Sequence, residues 1–133
     1  MMMQAIVIDD QSTFRRAVVR ILRRYDFAIH EAADGALGLR ELSARPDAEL
    51  VMVDWRMPDM GGLEVVTKIR SDRRFARTKV MMVTALDDGV AEDLAMVAGA
   101  DGFLIKPFTE RALIAQLEHV GLGPGRLRAA RVA

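Results

Sequence analysis

Cysteine is absent from this chain, so neither a disulfide framework nor thiolate chemistry is open to it. Net charge is absent as well: the formal balance is +0, which removes any whole-molecule attraction to nucleic acid or a membrane surface. No run reaches the roughly 18 consecutive apolar residues of a membrane helix. The N-terminus lacks a basic segment leading into an apolar one and enters a strand pattern at Gln4, so no signal peptide is expected. Internal repeats and low-complexity tracts are missing too. These absences describe a soluble protein of the cytoplasm with no nucleic-acid or membrane partner. Lysine is also scarce, with 3 against 16 arginines, so a lysine at a strand end stands out, although a coding preference for arginine explains the ratio equally well.

What is present is a globular composition. The 133 residues are 51% hydrophobic and 29% charged, enough for one domain with a substantial core. Strand and helix patterns alternate. Residues 4–9, 27–32, 48–53, 79–84 and 101–105 read as short apolar strands, and 48–53 is apolar enough to be covered on both faces. Between them, Phe14, Ala17, Val18, Ile21, Leu22 and Tyr25 keep a helical period, with Ser12 as the expected N-cap. Asp34 caps a second helix, to about residue 44, with Leu37 and Leu42 among its apolar positions. A third carries Leu63, Val66 and Ile69 on one side. Asp87-Asp88 open the fourth, which Gly99 ends, and Thr109 caps a fifth with Leu113, Ile114 and Leu117 toward the core. Five such units predict an α/β fold, a doubly wound five-stranded parallel sheet with helices on both faces. Gly121, Gly123, Pro124 and Gly125 stop the last helix. The domain is therefore expected over residues 1–121, with 122–133 a short, flexible basic tail.

The chemistry-bearing residues follow the apolar runs. Asp9-Asp10 follow residues 5–8, Asp54 follows 50–53, Thr84 follows 80–83, and Lys106-Pro107 follow 103–105. In an open parallel sheet these strand ends share one edge, where ligands bind. Clustered carboxylates repel one another and call for a hard cation such as Mg²⁺. A hydroxyl and an ammonium beside them suit the oxygens of a phosphoryl group. The set points to phosphoryl chemistry at an aspartate. A lone acidic pair after a strand would more often be a capping turn, and a lone strand-end threonine is commonplace; it is the combination that carries the reading.

These residues resemble the response-regulator receiver domains, of the single-domain chemotaxis type. The resemblance lies in Ile8-Asp9-Asp10-Gln11-Ser12-Thr13-Phe14-Arg15-Arg16, in Asp54 with Met57-Pro58 and Gly61-Gly62, in Val83-Thr84-Ala85, and in Lys106-Pro107-Phe108. It implies the flavodoxin-like strand order 2-1-3-4-5. It also implies that Asp54 is the phosphoacceptor, receiving phosphate from a sensor histidine kinase or histidine phosphotransfer domain. Asp10 and Asp54 would then bind Mg²⁺ directly, Asp9 would help, and the backbone carbonyl of Arg56 would add an oxygen. Thr84 and Lys106 would contact the phosphoryl group, Phe103 would be the switch aromatic that turns inward, and Pro107 would follow a cis peptide bond. Output would pass through the surface of the fourth helix, fifth strand and fifth helix to a protein target: the flagellar motor switch, a phosphorelay protein or a regulated enzyme. Such a domain catalyses only its own phosphorylation and slow dephosphorylation. With the chain ending after the fifth helix, no DNA-binding domain is expected.

Two positions depart from the chemotaxis pattern, Arg56 and Leu86, where the family tunes its dephosphorylation. Both are large here and are expected to obstruct the attacking water. Arg15, Arg16, Arg20, Arg23 and Arg24 read as a solvated helix face that is also a candidate kinase-docking surface. His30 reads as structural, His119 as a contact to a helix C-terminus, and the internal methionines as core filler. Two other functions are compatible with the fold: a phosphorylation-independent interaction module, and a phosphohydrolase. The latter expects a second aspartate two positions after the nucleophile of the first strand, where Gln11 stands after Asp9-Asp10.

Overall fold

A computed structural model describes residues 2–85 and 89–125. Five parallel strands form one sheet in the order β2-β1-β3-β4-β5. They are β1 (Met3–Ile8), β2 (Phe27–Ala32), β3 (Leu50–Asp54), β4 (Lys79–Thr84) and β5 (Gly102–Ile105). Five helices connect and follow them: α1 (Ser12–Arg23), α2 (Gly35–Ala44), α3 (Gly62–Arg70), α4 (Gly89–Ala98) and α5 (Glu110–His119). The expected fold class and strand order are those observed.

The sheet has two buried faces because successive strand side chains point oppositely. Ile6 and Ile8 of β1, Val51 and Val53 of β3, Met82 and Phe103 pack with Val65, Val66 and Ile69 of α3 and Ala91 and Ala95 of α4. Ala5, Val7, Leu50, Met52, Met81 and Leu104 pack instead with Val18, Val19 and Leu22 of α1 and Leu113 and Leu117 of α5. Each fully buried aliphatic side chain contributes about 1.5–3 kcal/mol, so this double layer fixes the sheet and, with it, the strand ends.

Several boundaries differ from the sequence expectation, each for a physical reason. Ser12 is the first residue of α1 rather than its cap. Gln11 occupies the N-cap, with no side-chain capping bond, because Asp9 closes the turn by accepting from the Gln11 amide at 2.9 Å. Leu37 is 41% exposed while Gly35 and Gly38 are buried, so α2 turns its smallest residues inward. A Cβ on Gly38 would lie 2.2 Å from Ile8 Cδ1, which is why α2 can approach β1 so closely. β3 starts at Leu50, two residues later than expected, because a turn over Pro46 and Asp47 closes only at Ala48, whose amide donates to the Arg45 carbonyl at 2.9 Å, and Glu49 bends into the strand. Residues 73–75 form a short 3₁₀ turn that buries Phe75. Asp34 and Thr109 do cap α2 and α5, accepting from the amides of Leu37 at 2.8 Å and Ala112 at 3.0 Å. Gly99 ends α4 with φ +113°. Leu122 packs onto the α5 side of the core. Leu86, Asp87-Asp88 and the tail from Arg126 onward lie outside the described residues.

Candidate functional site

The register brings the strand ends together. Ile8 of β1 pairs with Val53 of β3, Asp54 with Val83 of β4, and Thr84 with Ile105 of β5. Asp9 is thereby level with Asp54, and Thr84 and Lys106 follow one and two steps further along at the same edge. Asp9, Asp54 and Thr84 are buried, and Asp10 is exposed at the rim. A cavity of about 340 Å³ opens there, lined by Asp10, Gln11, Asp54, Arg56, Thr84, Ala85 and Lys106.

Lys106 is the hub. Its Nζ donates to Asp9 Oδ2 at 2.9 Å, lies 3.0 Å from Asp54 Oδ1, and donates to Gln11 Oε1 at 3.2 Å. The same ammonium lies 4.0 Å from the centre of the Phe14 ring, and Phe14 meets Phe108 edge-on with centroids 5.3 Å apart. The Lys106–Pro107 peptide bond is cis. The Lys106 amide donates to the Thr84 carbonyl at 2.7 Å, and the Trp55 amide to the Val83 carbonyl at 2.7 Å. The loop after Asp54 folds back on the site through the Gly62 amide, which donates to the Trp55 carbonyl at 2.9 Å. A Cβ on Gly62 would lie 2.4 Å from the Asp54 carbonyl oxygen, so only glycine fits this return.

Burial raises the Asp54 pKa above the usual carboxylate value. The hydrogen bond from Lys106 pulls it back, and the charges of Asp9 and Asp10 push it up again. Asp9, Asp10 and Asp54 each offer a carboxylate oxygen, and these atoms lie within 4.8 Å of one another. Three hard oxygen donors set against one ammonium leave an excess of negative charge, and that donor set fits Mg²⁺.

Other sequence-predicted residues fall as follows. Arg56 is exposed and lines the cavity. Phe103 is already inward, 8% exposed in the core beneath α4. Arg15 does not belong to the solvated arginine face. Its side chain is 15% exposed because it turns back to the β1 end, donating to the Asp9 carbonyl at 2.6 Å and pairing with Glu31 at 3.0 Å. His30 pairs through Nε2 with Gln4 Oε1 at 2.7 Å between β2 and β1. Sequence reasoning missed Gln11, Phe14 and Phe108 as neighbours of the lysine. The one available signal was their place beside Asp10 and Lys106 in the chain.

The response regulator receiver domain family matches residues 5–118. The chain belongs to this family. It is 38% identical over 120 residues to the chemotaxis protein CheY1 of Helicobacter pylori, covering 89% of this chain and 96% of that one. It is 36% identical over 126 residues to the chemotaxis protein CheY homolog of Campylobacter jejuni, covering 92% and 96%. Among solved structures, the Vibrio cholerae chemotaxis protein CheY4 superposes with a TM-score of 0.84 at 27% identity, covering 90% of this chain and 99% of that one. The receiver domain therefore places the protein in two-component signalling, as a signalling protein rather than a classical enzyme. No helix among the described residues is long and apolar enough to cross a membrane.

Proposed function

We propose that this receiver domain accepts a phosphoryl group on Asp54, in a Mg²⁺-dependent reaction, from a sensor histidine kinase or a histidine phosphotransfer domain in the cytoplasm. The observation that carries the reading is the ammonium of Lys106 bridging Asp9 and Asp54 at 2.9 and 3.0 Å beside an open cavity. Asp9, Asp10 and Asp54, with the backbone carbonyl of Arg56, would hold Mg²⁺, which when bound supplies charge neutralisation at the phosphoryl oxygens.

The chain's own residues do the rest. The ionised Asp54 carboxylate attacks phosphorus; an O–P bond forms and the P–N bond of the phosphohistidine breaks, its electron pair staying on the imidazole. Lys106 offsets the charge of the attacking carboxylate and then of the transferred oxygens. The Thr84 side chain, at the end of β4, supplies a hydroxyl to the same group. Phosphorylated and unphosphorylated conformations are in equilibrium, and the phosphoryl group biases that equilibrium as far as its differential interaction with the two allows.

Output passes through the α4–β5–α5 face to a protein target, of which a flagellar motor switch, a phosphorelay protein and a regulated enzyme are candidates. Val90, Leu94 and Val97 are exposed at i, i+4 and i+7 on α4, with Ile105 of β5 also exposed. Phe103 lies beneath this face, so its packing is the internal side of the same surface. Arg56 at the cavity mouth hinders the attacking water and lengthens the life of the acyl phosphate, and Leu86, two residues after Thr84 in the chain, is the second position that sets this rate. An Arg56→Asn, Leu86→Glu variant that loses phosphate no faster than the parent would remove that part. The intact acidic set with Lys106 speaks against a phosphorylation-independent module.

The test is reaction with phosphoramidate, a small P–N donor, followed by ³¹P NMR. An acyl-phosphate resonance that needs Mg²⁺ and disappears in Asp54→Ala supports the reading. A folded parent that never shows it, with Mg²⁺ present, sinks it.

A further inference from the structure

Lys106 has three N–H donors and, in this structure, three oxygen acceptors: Asp9, Asp54 and Gln11. An incoming phosphoryl oxygen must displace one of them. Bonds to ionised acceptors are roughly twice as strong as neutral ones. The Gln11 amide is neutral, and at 3.2 Å it is the longest of the three contacts. Asp54 loses its carboxylate charge when it is phosphorylated, so its place on Lys106 passes to one phosphoryl oxygen, and Gln11, the weaker of the two acceptors that remain, is the partner that yields to a second.

The backbone of Gln11 is held at both ends. Its amide donates to Asp9 Oδ1 at 2.9 Å, and its carbonyl accepts from the Arg15 amide at 2.9 Å. It occupies the N-cap of α1 without making a capping bond, where serine, threonine or aspartate would stabilise the helix by about 1 kcal/mol. Its side chain instead reaches across to the lysine and forms part of the cavity wall with Asp54 and Thr84. A carboxamide carries an acceptor on one side and two donors on the other. Facing a lysine, it must present its oxygen. Facing a phosphoryl group, it can present its NH₂.

We propose that Gln11 is a phosphoryl-binding residue that exchanges partners: its amide oxygen holds Lys106 while Asp54 is free, and its NH₂ donates to the phosphoryl group once Asp54 carries one. The lysine does not drift when released, because the Phe14 ring at 4.0 Å and the carboxylate of Asp9 still hold it. This rests on the phosphoacceptor reading of Asp54.

The experiment uses beryllium trifluoride as a phosphoryl analogue, with Trp55 as the reporter. Trp55 is the single tryptophan and shares a groove with Asp10 and Arg56, so both Mg²⁺ and the analogue perturb it. Gln11→Met keeps the side-chain length and removes the hydrogen bonds; Gln11→Glu keeps the shape and leaves acceptors only. Gln11 is exposed, so both variants fold. Relative to the parent, Gln11→Met should bind the analogue about tenfold more weakly and Gln11→Glu more weakly still, while Gln11→Met changes Mg²⁺ affinity less than about twofold. Equal analogue affinity in parent and Gln11→Met overturns the proposal. So does a parallel loss of Mg²⁺ affinity in Gln11→Met, which would assign Gln11 to shaping the carboxylate turn. A parent that binds Mg²⁺ but never the analogue defeats the phosphoacceptor reading itself, and the inference with it.

Discussion

Two cations sit at opposite edges of the sheet, and each is held by three or more oxygen acceptors. At the C-terminal edge Lys106 serves Asp9, Asp54 and Gln11. At the other edge Arg70 donates to the carbonyls of Gly99 at 2.8 Å, Phe75 at 3.2 Å and Thr78 at 2.8 Å, and to Asp101 Oδ2 at 2.7 Å. Arg70 ties the end of α3 to the end of α4 and to the starts of β4 and β5, and Asp101 also accepts from the Val80 amide at 2.8 Å. Three of its four partners are backbone groups that nothing in the reaction changes. The Lys106 partners include two buried carboxylates, and the reaction changes the charge of one of them, Asp54. A planar guanidinium with a rigid fork suits the first task, and a compact ammonium with rotatable donors suits the second. A cation ringed by acceptors does not by itself mark a site; the nature of the acceptors does.

The comparison breaks first at its functional end. Lys106→Met should slow phosphorylation by a small-molecule donor about a hundredfold, the range seen when a preorganised electrostatic group is lost. It should also destabilise the protein near neutral pH, because Asp9 and Asp54 lose their counter-charge, and Mg²⁺ should restore part of that loss. Arg70→Met should do the reverse. Unfolding in urea should show a loss of about 2–4 kcal/mol from the stranded carbonyls and Asp101, unrelieved by Mg²⁺. Its phosphorylation rate should stay near that of the parent. A Lys106→Met protein that reacts normally, or an Arg70→Met protein that does not, would dissolve the contrast.

A smaller effect concerns Asp54. Its pKa is raised chiefly by burial, so the folded state holds this proton more tightly than the unfolded chain. The associated stability is complete below the ordinary aspartate range and is lost as pH rises through the raised value. Near neutral pH without Mg²⁺, Asp54→Asn should therefore melt above the parent, and the gap should close below about pH 4. A variant that melts below the parent at neutral pH would mean that Lys106 outweighs desolvation. The smallest effect is expected at Arg24, whose ion pair with Glu110 lies at the surface with side chains 58% and 40% exposed. Arg24→Ala should change unfolding free energy by about 1 kcal/mol or less.

Much of this molecule was legible before its structure. The apolar runs are short, end in charged residues and are separated by helical periods, so strand identity, sheet direction and the shared edge followed from pattern alone. Asp9, Asp10, Asp54, Thr84 and Lys106 were legible as a set, because each follows an apolar run and the ends of those runs share one sheet edge. What escaped depended on closeness in three dimensions. Phe14 looked like one more apolar helix position, and only the packing of α1 against the β5–α5 loop shows it beneath the lysine. Arg15 had the spacing of its exposed neighbours but bends back to Asp9 and Glu31. In α2 the rule that large apolar residues turn inward failed at Leu37, because β1 lies close enough that only glycine fits at position 38. Gln11 carried no charge and no periodic signal at all.

The most direct measurement is intact mass after incubation with acetyl phosphate, with and without Mg²⁺, for the parent and Asp54→Ala. The account predicts one phosphoryl adduct on the parent, only with Mg²⁺, and none on the variant. An adduct of equal yield on Asp54→Ala, or a folded parent that stays unmodified with Mg²⁺ and excess donor, would contradict it.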